Sequence, residues 1–201
     1  SGEDEDKLKA LSDLFQDPEI DIIMCARGGY GAIRLLNHID YNLIKNNQKV
    51  FCGFSDVTAL LLMIYKKTGM ITYHGPMACS DFGCENGYDF SLEYFEKAIS
   101  RQNLEFEGNK IYKGSAEGII WGGNLATVVS LCGLDFIPDE DFIFFAEDLN
   151  EPVYKIDRMF TQLFNIEKFR VNCKGVVLGD FLYVDNQDWL DELFHEFSIP
   201  A

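Results

Sequence analysis

Short apolar runs alternate with helix-spaced runs along this chain, and that alternation restricts its fold more than any other feature. IDIIMCA (20–26) is a β-rich run that reads as buried on both faces, and RGGYG (27–31) reads as its turn. AIRLLNHI (32–39) then has helical spacing, and KVFCGF (49–54) is a second buried strand. A helix follows from about Asp56 to Lys67, closed by Gly69, and MITYHGP (70–76) is a third strand stopped by Gly75-Pro76. Strands of this kind separated by helices imply parallel βαβ units with right-handed crossovers. In such sheets function gathers at the carboxyl ends of the strands, where both RGGYG and GFSD fall.

The texture changes after residue 80. SDFGCENGYDF is glycine-rich and turn-like, and SLEYFEKAI (91–99) is one helix. In AEGIIWGGNLATVVSLCGL a strand meets a Gly-Gly-Asn turn and a helix, and FIFFAEDLNE (142–151) is a very apolar strand ending in acids. IDRMFTQLFNI (156–166) is helical, GVVLGDF (175–181) a strand, and WLDELFHEF (189–197) a helix. No internal repeat stands out. The expected class is α/β, with a flavodoxin-like or Rossmann-like parallel-sheet domain over 1–82 and a linker over 83–115. A second, smaller α/β domain over 116–201 is expected to be incomplete, the chain being truncated at both ends.

Composition narrows the function. A formal net charge of −16 argues against nucleic acid, whose binding rests on Lys and Arg neutralising phosphates. No apolar run approaches the ~20 residues that span a bilayer, and the acidic start SGEDEDKLKA is no signal peptide. Six cysteines show no C-x-x-C pair and no histidine at metal-ligand spacing. Reduced thiols in a cytoplasmic protein are expected, with no metal.

Two stretches carry candidate chemistry. The loop Gly28-Gly29-Tyr30-Gly31 permits positive φ and close approach of backbone N–H groups to a ligand. It is neither G-x-G-x-x-G nor followed by G-K-[ST], so it reads either as a tight turn or as an anion- or oxyanion-receiving loop. Ser55, in GFSD, either caps the following helix or stands at a nucleophile elbow. A serine nucleophile needs a base and a group to orient that base. Glu147, placed at the end of FIFFAE, suits the orienting role, the alternative being a solvated acid among Asp148, Asn150 and Glu151. The three histidines are His38, His74 and His195, of which His74, at a strand end before Gly-Pro, is the better placed to act as base, the alternative being a hydrogen-bonded structural residue.

Six stretches together resemble the LD-carboxypeptidases: ARGGYGAIRLL (26–36), CGFSDVTALL (52–61), TYHGPM (72–77), EGIIWGGNLA (117–126), AEDLNEPVYKIDRM (146–159) and GVVLGDF (175–181). This is the serine peptidase family of murein tetrapeptide carboxypeptidases, which includes microcin C self-immunity proteins. The resemblance implies Ser55 as nucleophile and Glu147 as the triad acid. It implies the amides of Gly29 and Asp56 as the oxyanion hole, with Gly28, Tyr30 and Asn124 binding substrate. It places the catalytic histidine in a Gly-His motif beyond Ala201, so residues 1–201 alone are expected to be inactive. No cofactor is implied. The expected substrate is a small murein peptide handled in cytoplasmic peptidoglycan recycling, with a homodimer as an open alternative to the monomer. A microcin-type peptidyl-nucleotide hydrolase and a non-catalytic binding domain are the alternatives.

Overall fold

The first helix, α1 (Asp4–Gln16), starts with Asp4, Glu5 and Asp6 complementing the positive end of its dipole and stops at Asp17-Pro18, whose ring cannot continue it. In this computed structural model, which describes residues 2–81, 88–184, 188–197 and 199–200, the chain divides into two units, 1–106 and 107–201. The glycine-rich reading of residues 82–87, and Cys84 with it, lies outside the described residues.

In the first unit, β1 (Ile22–Met24), β2 (Val50–Gly53) and β3 (Tyr73–His74) form a parallel sheet in that order. The strand expected over 70–76 shortens to Tyr73–His74, which pair with Cys52 and Gly53 of β2. Of the helix expected over 32–39 only α2 (Ala32–Leu35) forms, and a separate helix not anticipated from the sequence, α3 (Tyr41–Asn46), follows. Asp40 starts α3, its carboxylate accepting the Leu43 N–H at 2.9 Å.

After β2 comes a 3₁₀ turn (Ser55–Val57) and then α4 (Thr58–Thr68). Every residue from Thr58 to Ile64 is buried, so α4 is a central helix, packed against α2, α3, β2 and β3. Gly69, at φ 74°, ends it with its N–H on the Tyr65 carbonyl at 2.8 Å. Phe15 of α1 and Phe51 of β2, both fully buried, meet with ring centroids 5.9 Å apart. The last helix of this unit is α5 (Tyr88–Ile99).

The second unit repeats the plan. β4 (Ile119–Asn124), β5 (Phe142–Leu149) and β6 (Cys173–Leu182) form another parallel sheet in chain order. With them go α6 (Leu125–Ser130), α7 (Val153–Phe164), α8 (Glu167–Asn172) and α9 (Asp188–Phe197), of which α8 is not anticipated from the sequence. Phe142, Phe144, Ala146 and Asp148 alternate onto the buried face of β5. Aromatic rings fill the core beneath, with Trp121 5.0 Å from Phe142, Phe144 5.1 Å from Phe169 and Phe160 4.9 Å from Phe194.

Gly122-Gly123-Asn124 is not the turn expected from the sequence but the end of β4. A β-carbon on Gly122 would lie 1.9 Å from the Phe145 carbonyl oxygen, so only glycine lets the ladder close here. The described cysteines, Cys25, Cys52, Cys79, Cys132 and Cys173, are free thiols. No helix among the described residues is long and apolar enough to cross a membrane.

Candidate active site

The first unit places Ser55 at the first position of the 3₁₀ turn with φ 62°, the left-handed region that a β-carbon disfavours. A strained non-glycine residue where a parallel strand turns into a helix is the geometry of a nucleophile elbow. The capping role left open by the sequence is not what the structure has. The positions preceding the turn and α4 are Phe54 and Val57, neither caps through its side chain, and the Ser55 hydroxyl forms no hydrogen bond among the described residues.

The glycine loop runs directly against this serine. A β-carbon on Gly28 would come 2.9 Å from Ser55 Cβ and 3.0 Å from its Oγ, so a side chain there would push the hydroxyl aside. Gly29 and Gly31 take φ 137° and 100°. The Asp56 carboxylate accepts the Ala32 N–H at 2.9 Å, tying the elbow to the start of α2. The N–H groups of Gly29 and Asp56 form no hydrogen bond among the described residues, so both remain available as donors. Tyr30 is 90% exposed.

The histidines divide sharply. His74 closes β3 opposite Gly53, its ring 6.1 Å from that of Phe54, and burial pushes its pKa down to about 4. Such an imidazole is neutral at physiological pH but far from the pKa near the working pH that a general base needs. His38 and His195 are exposed, the latter edge-on to Tyr112 at 5.9 Å.

The second unit carries Glu147 and Asn124, which face each other across the β4–β5 ladder. Glu147 does not end its strand, as expected from FIFFAE, because β5 runs on through Asp148 and Leu149. It stands at an irregularity in the pairing, where Ala146 opposes Leu178 but Asp148 opposes Phe181. Such bulges re-aim side chains. Burial, followed by the charge of Asp148, pushes the Glu147 carboxyl up to about 7, against a hydrogen bond from Asn124 that favours the charged form.

Asp148, named from the sequence only as a neighbour of Glu147, is 5% exposed. Its carboxylate accepts the Ala126 N–H at 2.9 Å, the Leu149 N–H at 2.8 Å and the Asn124 side-chain amide at 3.0 Å. The Asn124 oxygen accepts from the Thr127 N–H and hydroxyl at 3.0 and 2.8 Å, capping α6. The sequence signal for this network is an Asp directly after Glu147, facing a Gly-Gly-Asn one strand away. Among the described residues, no group of three or more His, Cys, Asp or Glu side chains is gathered to hold a metal ion.

Residues 1–75 match the LD-carboxypeptidase N-terminal domain, and residues 117–200 match the LD-carboxypeptidase C-terminal domain. The crystal structure of an MccF-like protein from Bacillus anthracis str. Ames is 30% identical, with a TM-score of 0.88 over 100% of this chain and 71% of its own. The chain belongs to the LD-carboxypeptidase family. Its α/β fold with two parallel three-stranded sheets matches that of the MccF-like protein over the residues they share. A probable murein peptide carboxypeptidase of Bacillus subtilis is 33% identical over 187 residues, covering 90% of this chain. The chain spans 58% of the length of that relative. The microcin C7 self-immunity protein MccF of Escherichia coli is 32% identical over 212 residues, covering 89% of this chain and 61% of its own.

Proposed function

We propose that this LD-carboxypeptidase chain carries the nucleophile and the orienting acid of a cytoplasmic serine carboxypeptidase acting in peptidoglycan recycling. Its substrate is a murein tetrapeptide, cut between the L-centre of a diamino acid and the terminal D-Ala. The observation that supports this most is Ser55, strained at φ 62° with Gly28 packed against its hydroxyl.

In this reading Ser55 Oγ attacks the scissile carbonyl, and the N–H groups of Gly29 and Asp56 receive the developing oxyanion. Gly28, Tyr30 and Asn124 contact the substrate. A histidine outside residues 1–201 takes the serine proton and returns it to the leaving D-Ala amine, after which water releases the acyl group. The half-buried, weakly basic His74 and the exposed His38 and His195 are the reason for placing the base elsewhere. Glu147 orients that base and acts as the carboxylate. With its pKa near 7, turnover falls as pH drops through neutrality.

The test is Ser55→Ala in the full-length protein, assayed for D-Ala release from a murein tetrapeptide. Turnover is expected to vanish with little loss of stability, and retained turnover would remove the nucleophile assignment and favour a binding domain. Residues 1–201 alone, compared with a version extended through the next histidine, are expected to be nearly inactive. Equal rates would make an internal histidine the base. The similarity to MccF and the MccF-like protein favours one second reading, hydrolysis of a peptidyl nucleotide. Offering both substrates to the same preparation separates the two.

A further inference from the structure

We propose that Asp148 is a positioning residue for Glu147 and that Asp56 holds Ser55 in place by the same device. The inference rests on the carboxypeptidase reading above. Asp148 directly follows Glu147, and one buried carboxylate joins three elements around it: β5 through the Leu149 N–H, the end of β4 through the Asn124 side-chain amide, and the start of α6 through the Ala126 N–H. Asn124, the residue so held, is the one that faces Glu147 across the ladder. In the other unit Asp56 directly follows Ser55 and holds the Ala32 N–H at 2.9 Å, fixing the far end of the loop whose Gly28 touches Ser55.

The spacing repeats as well. In each unit the clamped alanine is the fourth residue after the first glycine of a Gly-Gly pair, Gly28 and Ala32 in one, Gly122 and Ala126 in the other. An ionised acceptor holds N–H donors more tightly than a neutral one, which suits a clamp. Burying a carboxylate is costly unless it is well hydrogen-bonded, and Asp148 meets that condition. The charged groups acting on it and on its neighbour are few: Glu151 acts on Asp148, Asp148 acts on Glu147, and Lys155 pairs with Glu151 at 3.1 Å.

The experiment compares Asp148→Ala, Asp148→Asn and Asp56→Ala in the full-length protein, reading kcat, KM and the pH profile of D-Ala release. Asp148→Ala and Asp56→Ala are each expected to lower kcat on the order of a hundredfold with KM little changed, as a displacement near 1 Å does. Asp148→Asn keeps the shape but removes the charge beside Glu147, so the acid limb of its kcat profile moves to lower pH. In Asp56→Ala that limb stays where it is. A merely structural role would lower the melting temperature and leave kcat and the acid limb of the folded protein alone, and that result overturns the proposal. If Asp148→Ala does not fold, carbon-13 titration of Glu147 in Asp148→Asn decides, and an unmoved Glu147 overturns it. Retained turnover in Ser55→Ala would instead sink the carboxypeptidase reading, leaving that titration as the measure of the clamp.

Discussion

In the first unit the chain leaves β2 through a strained turn at Ser55, whereas in the second β5 runs on past Glu147 without leaving the ladder. The surroundings are otherwise closely alike. Each residue sits on the middle strand of a parallel three-stranded sheet or directly after it, and each is followed by an Asp that holds an alanine N–H. Ser55 lies against Gly28 of the Gly-Gly pair that follows β1, and Glu147 faces Asn124, the residue after the Gly-Gly pair of β4. The difference follows from what each group must do. A hydroxyl on a short side chain has to be lifted clear of the strand to reach a substrate, at the cost of an unfavourable φ. A carboxylate on a longer side chain works from within the strand, where the ladder keeps its base rigid and burial raises its pKa.

The largest effect that can break this comparison is chemical. Glu147→Gln keeps the shape of the side chain within β5 and is expected to lower turnover by about 10⁴, with KM nearly unchanged, because an orienting carboxylate acts mainly in the transition state. Steady-state kinetics on the full-length protein checks it. Affinity lost without turnover would make Glu147 a substrate contact and end its parallel with Ser55.

Next come the glycines, which look alike in sequence and are used differently. Gly122→Ala drives a β-carbon to 1.9 Å from backbone oxygen at φ 143°, where neither strand can yield. It is expected to cost more than about 4 kcal/mol and to appear first as a large drop in the melting temperature. Gly28→Ala meets Ser55 Cβ at 2.9 Å and its Oγ at 3.0 Å, a milder clash than the one with ladder backbone at Gly122. It is expected to cost about 1–3 kcal/mol while turnover collapses. Equal losses of stability from the two would show that the loop and the strand end are under the same constraint.

The parts legible in the sequence were those set by local patterning. Ile22–Met24, Val50–Gly53 and Phe142–Leu149 are apolar runs that the sheets use as strands, and Ser55 stands at the strand-to-helix junction where GFSD puts it. What was not legible depended on partners distant in sequence. The bonds from Ala32 to Asp56 and from Ala126 to Asp148 span more than twenty residues and leave no periodicity to read. The same holds for Gly122, which looks like a turn until Phe145 of the next strand is laid beside it. The repeated clamp escaped because its members are scattered single residues, not a similar stretch. The helix α3 escaped because its start rests on one cap bond at Asp40 and its six residues are too few to show a helical period.

The smallest expected effect sharpens the comparison through protons. Burial holds the His74 pKa at about 4 against an ordinary 6.5, so between those values the unfolded chain binds a proton that the folded first unit does not. The contribution of His74 to stability is therefore complete above pH 6.5 and is lost as pH falls towards 4. Glu147 has the opposite sign. Its carboxyl is raised from 4.5 to about 7, so its contribution is complete below pH 4.5 and is lost as pH rises through 7. Buried Asp148 is shifted upward as well and acts in the same sense as Glu147. Taking the chain from pH 7 to pH 5 is thus expected to loosen the first unit while tightening the second. Native-state hydrogen exchange reads the two separately, with the Phe51 amide of β2 losing protection and the Phe144 amide of β5 gaining it, after correction for the intrinsic exchange rate. His74→Phe removes the loss at Phe51, and Glu147→Gln diminishes the gain at Phe144, leaving the part due to Asp148. Protection that moves in the same direction at both amides in the wild type would mean that groups common to the whole chain, and not these two, set its response to acid.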